Sequence, residues 1–384
     1  MKDNLLFITN IPSPYRIDMF NYMESVKNEL GFDFKVNFMR VTEDDRKWPI
    51  DQSTYRFKYY IDKGIYFYLP KYTFHFHLNF NLVKIVLQEK SPKIILAGSW
   101  NYATVMILLL MKRFKLIKNE VYFWAEANYM YSLSNCSIFS KIIFYIRKYL
   151  LESIDKKLIV NGKIAKDTFN YHWMIKRDCI YLPNLINSAK YRADPAMIRR
   201  KTFENGIISI FISARLEEST KGLLNYISKI KDGKWQRMRI YIAGEGPDRG
   251  KLEKYIQDKK LEKSIILLGN QSQKEMISNY KKYNIFLLPS IREAGGMSII
   301  EAAFSAMPLL ISKRCGNLNE VLEEGVNGYS FDPYDEASIN ESLDTILSKD
   351  IFQLNEMGIK SLEIAGRNFD NYNGIKCFIE GMRV

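Results

Sequence analysis

The stretch that decides the fold class reads NIFLLPSIREAGGMSIIEAAFSAM and covers residues 284–307. An apolar strand, Ile285–Leu288, ends at a proline, a loop with two glycines follows, and a helix is predicted to begin near Met297. Such a loop leaves backbone N–H groups unpaired at the start of the helix, which favours an anionic ligand such as a diphosphate. The carboxylates of Glu293 and Glu301 flank this site. A carboxylate beside a phosphate site is electrostatically unfavourable unless it meets hydroxyls or a developing cation. We therefore expect a ligand that offers these groups as well as a diphosphate.

The same segment resembles the Glu-x7-Glu signature of retaining, nucleotide-sugar-dependent glycosyltransferases of family 4. The resemblance rests on the order of a strand, Pro-Ser, Glu, Gly-Gly and a helix of small residues. In that family the first Glu faces the donor sugar and the second binds the nucleotide ribose, which implies these roles for Glu293 and Glu301. Loop N–H groups contact the sugar and the diphosphate. The corresponding donor-binding residues here are Ala294, Gly295, Gly296, Met297 and Ser298. The alternative is an ordinary solvated pair of glutamates at a strand–helix junction.

Length and composition indicate a globular protein of two domains. The chain has 384 residues, 47% of them hydrophobic and 26% charged, which is too long for a single core. The net charge of +13 is uneven, because residues 1–190 hold 28 Lys and Arg against 17 Asp and Glu, whereas residues 191–384 hold 28 against 26. This asymmetry suggests that the N-terminal half meets an anionic surface, lipid or polymer. Solvated lysines of a Lys-rich proteome are the alternative.

Cysteine, histidine and hydropathy patterns indicate neither a metal site nor a membrane span. The four cysteines form no CxxC pair, which favours a reduced compartment. They are Cys136, Cys179, Cys315 and Cys377. His75 and His77 alternate on one predicted strand without a third ligand nearby, and Asp44-Asp45 lies in a polar loop, so no metal is expected. The most apolar stretch, Val105–Met111, is far below the ~20 residues that span a bilayer, and we expect no signal peptide. The expected location is cytoplasmic, or peripheral on the inner face of the cell membrane.

Short apolar strands alternate with longer helical patterns along the chain, which is typical of doubly wound α/β architecture. The predicted strands are Leu5–Thr9, Phe34–Met39, Ile94–Leu96, Val121–Trp124, Leu158–Val160, Ile180–Leu182, Ile208–Ile212, Arg239–Ile242, Ile265–Leu268, Ile285–Leu288, Leu309–Ile311 and Tyr329–Phe331. Two such halves with a ligand-binding seam correspond to the GT-B fold of the family, which has two Rossmann-like doubly wound domains facing a central cleft. Ligands of such sheets bind beyond the carboxyl ends of the strands.

The same resemblance suggests the domain boundaries. Leu182–Asn187 resembles the interdomain Pro-Asn-x-x-Asp element of the family, with Asn187 in place of the acid. We expect an N-terminal acceptor-binding domain over residues 1–187 and a C-terminal donor-binding domain over residues 188–370, with a polar connector at about 187–205. In this fold the last helix commonly returns to the N-terminal domain, and residues 371–384 are the candidate.

Two cations are expected to neutralise the donor diphosphate. Similar family members place an Arg and a Lys after the first strand of the donor domain, which carries over to Arg215 and Lys221. A leaving diphosphate gains negative charge, so fixed cations stabilise the transition state more than the ground state. The alternative is a surface Arg and Lys in a charged loop.

Two further strand ends resemble donor-binding segments of the family. Gly244-Glu-Gly246 matches a glycine turn whose backbone either approaches the nucleotide or only permits a tight turn. Asn270 and Gln271 lie in the stretch that resembles the lining of the base pocket, where main-chain groups usually contact the base.

The acceptor side is predicted in the N-terminal half. The loop Asn10–Arg16 follows the first strand, where related enzymes have a Gly-rich loop; two prolines make it stiffer, with fewer N–H donors. We place Ser13 and Arg16 near the cleft, although Arg16 is also a plausible ordinary first-turn helix residue. Glu126 ends a strand where many relatives carry a His. It can hydrogen-bond the donor sugar or the acceptor, or it is a strand-end residue paired with a lysine.

The predicted activity is transfer of a sugar from a nucleotide-diphosphate sugar, with a UDP-sugar favoured over a GDP-sugar, to a hydroxyl of a glycan or lipid-linked glycan. The family implies retention by same-face attack, without a protein nucleophile. No cofactor is expected, and the cations of Arg215 and Lys221 are expected to replace a divalent ion. A nucleotide-sugar epimerase or a phosphorylase of the same fold is the second enzyme hypothesis. The non-enzyme alternative is a basic nucleic-acid-binding protein, which no zinc-ligand, RNA-binding or helix-turn-helix motif supports.

Two segments combine bases with large apolar residues, namely Lys112–Lys118 and a predicted helix at Ile138–Leu150. This composition suits contact with anionic lipid headgroups near a lipid-linked acceptor. Core packing with solvated bases is the alternative. The sequence does not decide between the two.

Overall fold

The computed structural model describes residues 3–44, 46, 50–69, 74–89, 92–98, 102–130, 138–154, 157–198 and 203–384. Asp45 and Cys136 lie outside the described residues. The chain forms two compact units. The N-terminal unit comprises Met1–Leu185 and Asn371–Val384, and the C-terminal unit comprises Ile186–Asp370.

The N-terminal unit is built around a sheet of seven parallel strands. Its strands, including a separate hairpin, are β1 (Asp3–Thr9), β2 (Phe32–Phe38), β3 (Tyr59–Ile61), β4 (Ile65–Leu69), β5 (Phe74–Leu78), β6 (Lys93–Ala97), β7 (Val121–Trp124), β8 (Leu158–Val160) and β9 (Cys179–Tyr181). Its helices are α1 (Pro14–Leu30), α2 (Phe80–Gln88), α3 (Ala103–Arg113), α4 (Ile138–Leu151), α5 (Lys163–Asp167) and α16 (Asn371–Gly381). The sheet order is β3-β2-β1-β6-β7-β8-β9, whereas β4 and β5 pair antiparallel.

This sheet is covered on both faces, so its strands are continuous apolar runs. In β1, Leu5–Thr9 are all buried. One face carries an aromatic core, where Phe7 lies 5.2 Å from Phe20 of α1 and 6.2 Å from Phe34 of β2 between ring centroids. Helix α1 ends at Gly31, whose φ of 70° is the left-handed conformation that glycine adopts most easily.

Helix α16 packs into the N-terminal unit although it follows the whole C-terminal unit in sequence. It lies against α1 and β9. The fully buried ring of Phe378 is 6.3 Å from that of Phe7. Lys93 Nζ donates to the carbonyl of Met382 at 2.6 Å. The end of the chain is therefore tied to the start of β6.

The C-terminal unit has a six-stranded parallel sheet. Its strands are β10 (Ile208–Ser213), β11 (Met238–Ala243), β12 (Ile265–Gly269), β13 (Ile285–Leu288), β14 (Leu309–Ser312) and β15 (Gly328–Phe331). Its helices are α6 (Ser188–Tyr191), α7 (Pro195–Ile198), α8 (Glu218–Lys221), α9 (Leu223–Ile227), α10 (Arg249–Asp258), α11 (Gln273–Lys282), α12 (Met297–Phe304), α13 (Leu318–Val321), α14 (Glu336–Leu347) and α15 (Ile351–Asn368). The sheet order is β12-β11-β10-β13-β14-β15.

In both sheets the first strand in sequence is an inner strand, and later strands are added on either side of it. The order reverses between β1 and β6 in the N-terminal unit and between β10 and β13 in the C-terminal unit. This is the strand order of Rossmann-like domains. The predicted doubly wound architecture is confirmed, and α12 begins at Met297 as predicted.

The structure adds local detail at three places. The connector at about 187–205 is not merely polar, because it contains α6 and α7, and its Tyr191 and Ile198 are buried in the core of the C-terminal unit. Strands β3 and β4 are absent from the prediction, whereas β5 contains the strand predicted around His75 and His77. Helix α5 is followed directly by a π-helical turn, Thr168–His172. The Thr168 hydroxyl donates to the carbonyl of Ile164 at 2.6 Å, a contact that bends helices.

We expect Phe378→Ala to loosen the N-terminal unit and to leave the C-terminal unit unchanged. The side chain is fully buried, and truncation of a buried Phe costs about 3–5 kcal/mol of unfolding free energy. Hydrogen exchange measured by mass spectrometry should show faster exchange in β1 and β2 but not in β10 and β13. Lys376→Ala, on the exposed side of the same helix, is the matched control. Equal loosening of both units, or of neither, contradicts this packing.

Candidate active site

The candidate site lies where the C-terminal sheet reverses its strand order. Ligands of such sheets bind in the crevice beyond the carboxyl ends of the strands at this point. Strands β10 and β13 are hydrogen-bonded neighbours. The loop after β10 carries Arg215 and leads into α8, and the loop after β13 carries Glu293. Topology therefore brings together residues that are far apart in sequence.

Lys221 and Glu293 form an ion pair that joins these two loops. Lys221 Nζ donates to Glu293 Oε2, and the two side chains are 21% and 15% exposed. Ser290 Oγ lies 3.4 Å from the same carboxylate oxygen. Two backbone N–H groups of the β13 loop also donate to the carbonyl of Thr220 at 2.9 Å. The predicted cation and the predicted carboxylate therefore lie side by side on linked loops.

Arg215 lies at the start of the β10 loop, and the acids that follow it shape that loop. Its Nε is 3.6 Å from Glu217 Oε2, and its side chain is 33% exposed. The carboxylate of Glu218 accepts from the backbone N–H groups of Leu224 and Asn225 at 2.8 and 2.7 Å. These donors at the start of α9 have no intrahelical partner. The loop after β10 thus caps α9 and also carries Arg215.

Gly244 and Gly246 let the turn after β11 approach the turn after β10. A Cβ atom at Gly244, where φ is +144°, would lie 1.9 Å from the carbonyl oxygen of Ala214. At Gly246 it would lie 2.3 Å from the carbonyl oxygen of Leu216. Only glycine tolerates such an approach. The glycines therefore hold the backbone on both sides of Arg215, and their contact with a nucleotide stays a prediction.

Glu301, in the middle of α12, is fixed by a tyrosine that no motif indicates. The hydroxyl of Tyr280 donates to Glu301 Oε2 at 2.7 Å. Tyr280 is fully buried, and its burial, followed by the negative charge of Glu301, raises the pKa of the phenol well above its ordinary value. The phenol therefore stays protonated as a donor and orients the carboxylate that is predicted to bind ribose.

The predicted donor loop, residues 294–298, forms the start of α12. Its N-cap residue is Gly296, which has no side chain that could accept a hydrogen bond from the N–H groups at the helix start. The N–H of Gly316 donates to the carbonyl of Glu293 at 2.8 Å, and Asn317 Nδ2 donates to the carbonyl of Gly296 at 3.3 Å. Asn317 Oδ1 is buried without a hydrogen-bond partner in the part of the chain that the structure describes. This supporting loop belongs to no sequence motif.

Asn270 and Gln271 lie in the turn after β12. Gln271 Nε2 donates to the carbonyl of Leu268 at 2.9 Å, and its Oε1 accepts from Asn279 Nδ2 at 3.1 Å. The side chain of Gln271 thus closes its own turn, whereas Asn270 is exposed. Contact of either residue with a base stays a prediction.

In the N-terminal unit, Arg16 lies at the edge where that sheet reverses. Its side chain is 7% exposed, so it is not an ordinary solvated first-turn residue. The guanidinium donates to Thr9 Oγ1 at the end of β1 and lies 4.9 Å from the ring centroid of Trp124 at the end of β7. Burial lowers the pKa of Arg16, but Tyr15 and Glu126 more than offset this, and the pKa is raised. Glu126 is therefore electrostatically coupled to Arg16.

Two buried polar atoms at this edge lack partners. They are Ser13 Oγ and Trp124 Nε1, and neither has a hydrogen-bond partner among the described residues. The two residues are only 6% and 3% exposed. A buried polar group without a partner costs about 1–3 kcal/mol. The edge therefore carries two uncompensated polar groups among the described residues.

A buried polar cluster behind this edge was not predicted. Glu43 is 2% exposed, accepts from Asn10 Nδ2 at 3.0 Å, and lies 3.0 Å from His77 Nε2. The ring of Tyr102 meets His77 edge-on at 4.8 Å between centroids. Burial raises the pKa of Glu43, but the bonds from His77 and Asn10 outweigh it and hold the pKa below its ordinary value. The cluster anchors the first residues of the acceptor-side loop to the hairpin.

The described histidines contact aromatic rings, and the described cysteines are free thiols. Within the described residues, no group of three or more His, Cys, Asp or Glu could hold a metal ion. His75 and His77 lie on one face of β5, where their rings are 6.1 and 5.0 Å from the ring of Tyr66. Cys179 and Cys315 are free thiols, as is Cys377. Over the same described ranges, we find no helix with the length and apolar character to cross a membrane.

Comparison with known proteins finds sequence similarity in the second half of the chain. Residues 196–361 match the sequence model of the family described as glycosyl transferases group 1. An uncharacterised glycosyltransferase of Methanocaldococcus jannaschii is 24% identical over 238 residues, which cover 60% of this chain and 58% of that protein. The 2-deoxystreptamine N-acetyl-D-glucosaminyltransferase of Niallia circulans is 29% identical over 198 residues, covering 51% and 49%. The chain thus spans about half the length of these relatives.

Solved structures show the same fold over the whole chain. Anabaena HepE, in complex with UDP and glucose, aligns over 99% of both chains with a TM-score of 0.71 at 14% identity. The predicted GT-B fold, with two Rossmann-like domains, is therefore confirmed. The ion pair of Lys221 and Glu293 lies within residues 196–361, the segment that matches this family model.

We expect Glu43→Gln to destabilise the N-terminal unit by about 1–3 kcal/mol at neutral pH, because a buried charged acceptor is lost. Since the folded pKa of Glu43 is lowered, its stabilisation is fully present above the unfolded pKa of about 4.3 and disappears as the pH falls through the folded value. Urea unfolding of both proteins between pH 7 and pH 3 measures the difference. A difference that grows on acidification contradicts the assignment.

Proposed function

We propose that the protein is a glycosyltransferase that moves a sugar from a nucleoside-diphosphate sugar to a hydroxyl of a glycan acceptor. One observation carries the proposal. Within the family-matched segment, the loops at the sheet reversal bring Lys221 against Glu293, with Arg215 at the start of the first loop. Cations beside a carboxylate suit a ligand that carries both a diphosphate and a sugar.

Arg215 and Lys221 would supply the charge that the leaving diphosphate requires. As the bond between the sugar and the phosphate breaks, negative charge grows on the diphosphate oxygens, and positioned cations stabilise it. The two side chains are 33% and 21% exposed, so both remain accessible to a ligand. Because two fixed cations can do the work of a divalent ion, we propose a metal-independent reaction without a cofactor. The donor itself is the co-substrate.

Glu293 would face the donor sugar. Its carboxylate can accept hydrogen bonds from sugar hydroxyls and stabilise the positive charge that develops at the anomeric carbon. We propose retention by same-face attack: the acceptor oxygen bonds to the anomeric carbon, the bond to the phosphate breaks, and the leaving phosphate takes the acceptor proton. This route needs no protein nucleophile. Glu301, oriented by Tyr280, would bind the ribose.

The N-terminal edge would bind hydroxyls of the acceptor or of the donor sugar. Ser13 Oγ and Trp124 Nε1 are buried atoms without partners among the described residues, and each would gain a hydrogen bond. Glu126 adds an acceptor and the buried Arg16 adds a charge. With Arg16 already present, this arrangement suits a polar, uncharged ligand group better than a cationic one.

The donor nucleotide and the biosynthetic pathway are proposed from the structural comparison and from the charge distribution. We propose a UDP-sugar rather than a GDP-sugar because HepE, which shares the fold, was solved with UDP. The positive excess in residues 1–190 suits an anionic polymer or a lipid-linked glycan. We therefore propose a role in bacterial cell-surface polysaccharide or lipid-linked oligosaccharide synthesis, in the cytoplasm or at the inner face of the membrane. Nucleic acid is not a proposed partner.

Arg215→Ala and Lys221→Ala should each lower kcat/KM for the nucleotide sugar by about 100- to 1,000-fold, the usual effect of losing one group that stabilises transition-state charge. Release of nucleoside diphosphate from a panel of UDP- and GDP-sugars measures the effect. Lys360→Ala is the matched control, because Lys360 forms only an exposed ion pair with Glu363 at 2.7 Å. Turnover that survives in both Arg215 and Lys221 variants overturns their roles.

Glu126→Gln keeps the shape of the side chain and removes the charge coupled to Arg16. We expect transfer to fall by about 10- to 100-fold, as for loss of a hydrogen bond to a charged group, while UDP affinity stays unchanged. Kinetics with acceptor and calorimetry with UDP separate the two effects. Glu152→Gln, an exposed acid of the same unit, is the control. Normal transfer by the Glu126 variant removes it from the site.

A further inference from the structure

Helix α4 directs its apolar stripe towards solvent. The exposed side chains are Ile138 (75%), Ile142 (51%), Tyr145 (65%), Ile146 (50%) and Tyr149 (51%). Their spacing places them within a sector of roughly 100° around the helix axis. Leu150 and Leu151, by contrast, are buried in the unit. The stripe therefore has no role in the core, and core packing is the wrong explanation for these five residues.

The end of α3 continues this stripe. Leu110, Phe114 and Leu116 are 44%, 68% and 60% exposed. The guanidinium of Arg113 lies 4.2 Å from the ring centroid of Tyr149, so the two helices adjoin. We call these eight apolar residues of α3 and α4, with the loop after α3, the apolar face. Contiguous exposed apolar area of this kind marks an interaction surface.

The charged residues of α3, of α4 and of residues 114–119 are all basic, whereas Glu120 and the exposed Glu152 follow these segments directly. Residues 103–119 and 138–151 contain seven Lys and Arg and no Asp or Glu. They are Lys112, Arg113, Lys115, Lys118, Lys141, Arg147 and Lys148. Arg113, Lys115, Lys118 and Lys141 are exposed. The partner of this surface must accept apolar side chains and supply negative charge.

We propose that the apolar face binds a bilayer that contains anionic phospholipids. Its Ile, Leu and Phe side chains reach the boundary between headgroups and acyl chains, its tyrosines lie at the headgroups, and its bases meet the lipid phosphates. The inference deepens the proposed function by placing the acceptor at the membrane surface, and it rests on that function only for the identity of the acceptor.

Two other occupants fit the surface less well. A two-fold dimer through this face would bring two basic surfaces together, and like charges across an interface are unfavourable. Nucleic acid is bound mainly through phosphate and sugar contacts in polar interfaces, which leave eight large apolar side chains without a role. An anionic bilayer satisfies both the charge and the apolar stripe.

The test is co-sedimentation with vesicles of phosphatidylcholine, alone or with 30% phosphatidylglycerol, at low and high salt. We expect binding to the anionic vesicles that weakens with salt. Lys115→Gln/Lys118→Gln/Lys141→Gln should reduce the partition coefficient by about a hundredfold, at roughly fivefold per lysine near the surface. Ile142→Ser/Tyr145→Ser/Ile146→Ser should reduce it by at least tenfold.

Matched controls lie in the C-terminal unit. Lys254→Gln/Lys259→Gln/Lys263→Gln removes three exposed charges, and Phe352→Ser removes an apolar side chain that is 75% exposed. Neither control should change vesicle binding, and circular dichroism should show all variants folded. Full binding by the face variants, equal binding to neutral vesicles, or a dimer that the face variants dissociate overturns the inference. Turnover of a UDP-sugar with a soluble acceptor, measured in parallel, shows whether the proposed function fails independently of membrane binding.

Discussion

The ion pair between Lys221 and Glu293 is the interaction on which the candidate site depends. Seventy-two residues separate the two partners in sequence, and only the strand order of the C-terminal sheet brings them together. The chain leaves β10, builds one half of the sheet, and returns to the other side of β10 as β13. The carboxyl ends of these two neighbouring strands therefore carry a cation and a carboxylate that neither loop could assemble alone.

The surrounding backbone serves to hold these two loops in place. Gly244 and Gly246 allow the neighbouring turn to lie directly against the carbonyl groups of Ala214 and Leu216, on both sides of Arg215. On the other side, Asn317 and Gly316 hold the path of the donor loop by bonds to main-chain carbonyls. Catalytic groups need this kind of support, because fixed charges stabilise a transition state only if they do not have to reorganise.

Much of the fold is readable from the sequence for a physical reason. Parallel strands covered on both faces are continuous apolar runs, and these runs alternate with helices throughout the chain. The hairpin β4–β5 escapes this signal because it is a two-stranded element outside the main sheets. The connector at about 187–205 looks polar because its buried residues in the described part, Tyr191, Ala193 and Ile198, are few.

The site residues can be predicted from the sequence only where they belong to a motif. Arg215, Lys221 and Glu293 follow strands whose order the fold class fixes, so their proximity could be anticipated, but their direct pairing could not. The burial of Arg16 against Trp124 depends on the approach of two strand ends that sequence spacing does not encode. Tyr280, Asn317 and the pair of Glu43 and His77 belong to no motif. Their roles come from tertiary contacts alone.

A crystal structure of the protein with UDP tests the central claim most directly. The account predicts that the diphosphate lies at the start of α12, with Arg215 and Lys221 within about 3 Å of its oxygens and with the carboxylate of Glu293 free to face the sugar position. UDP bound elsewhere, or bound there with Lys221 still engaged only by Glu293 and Arg215 turned away, would contradict the account.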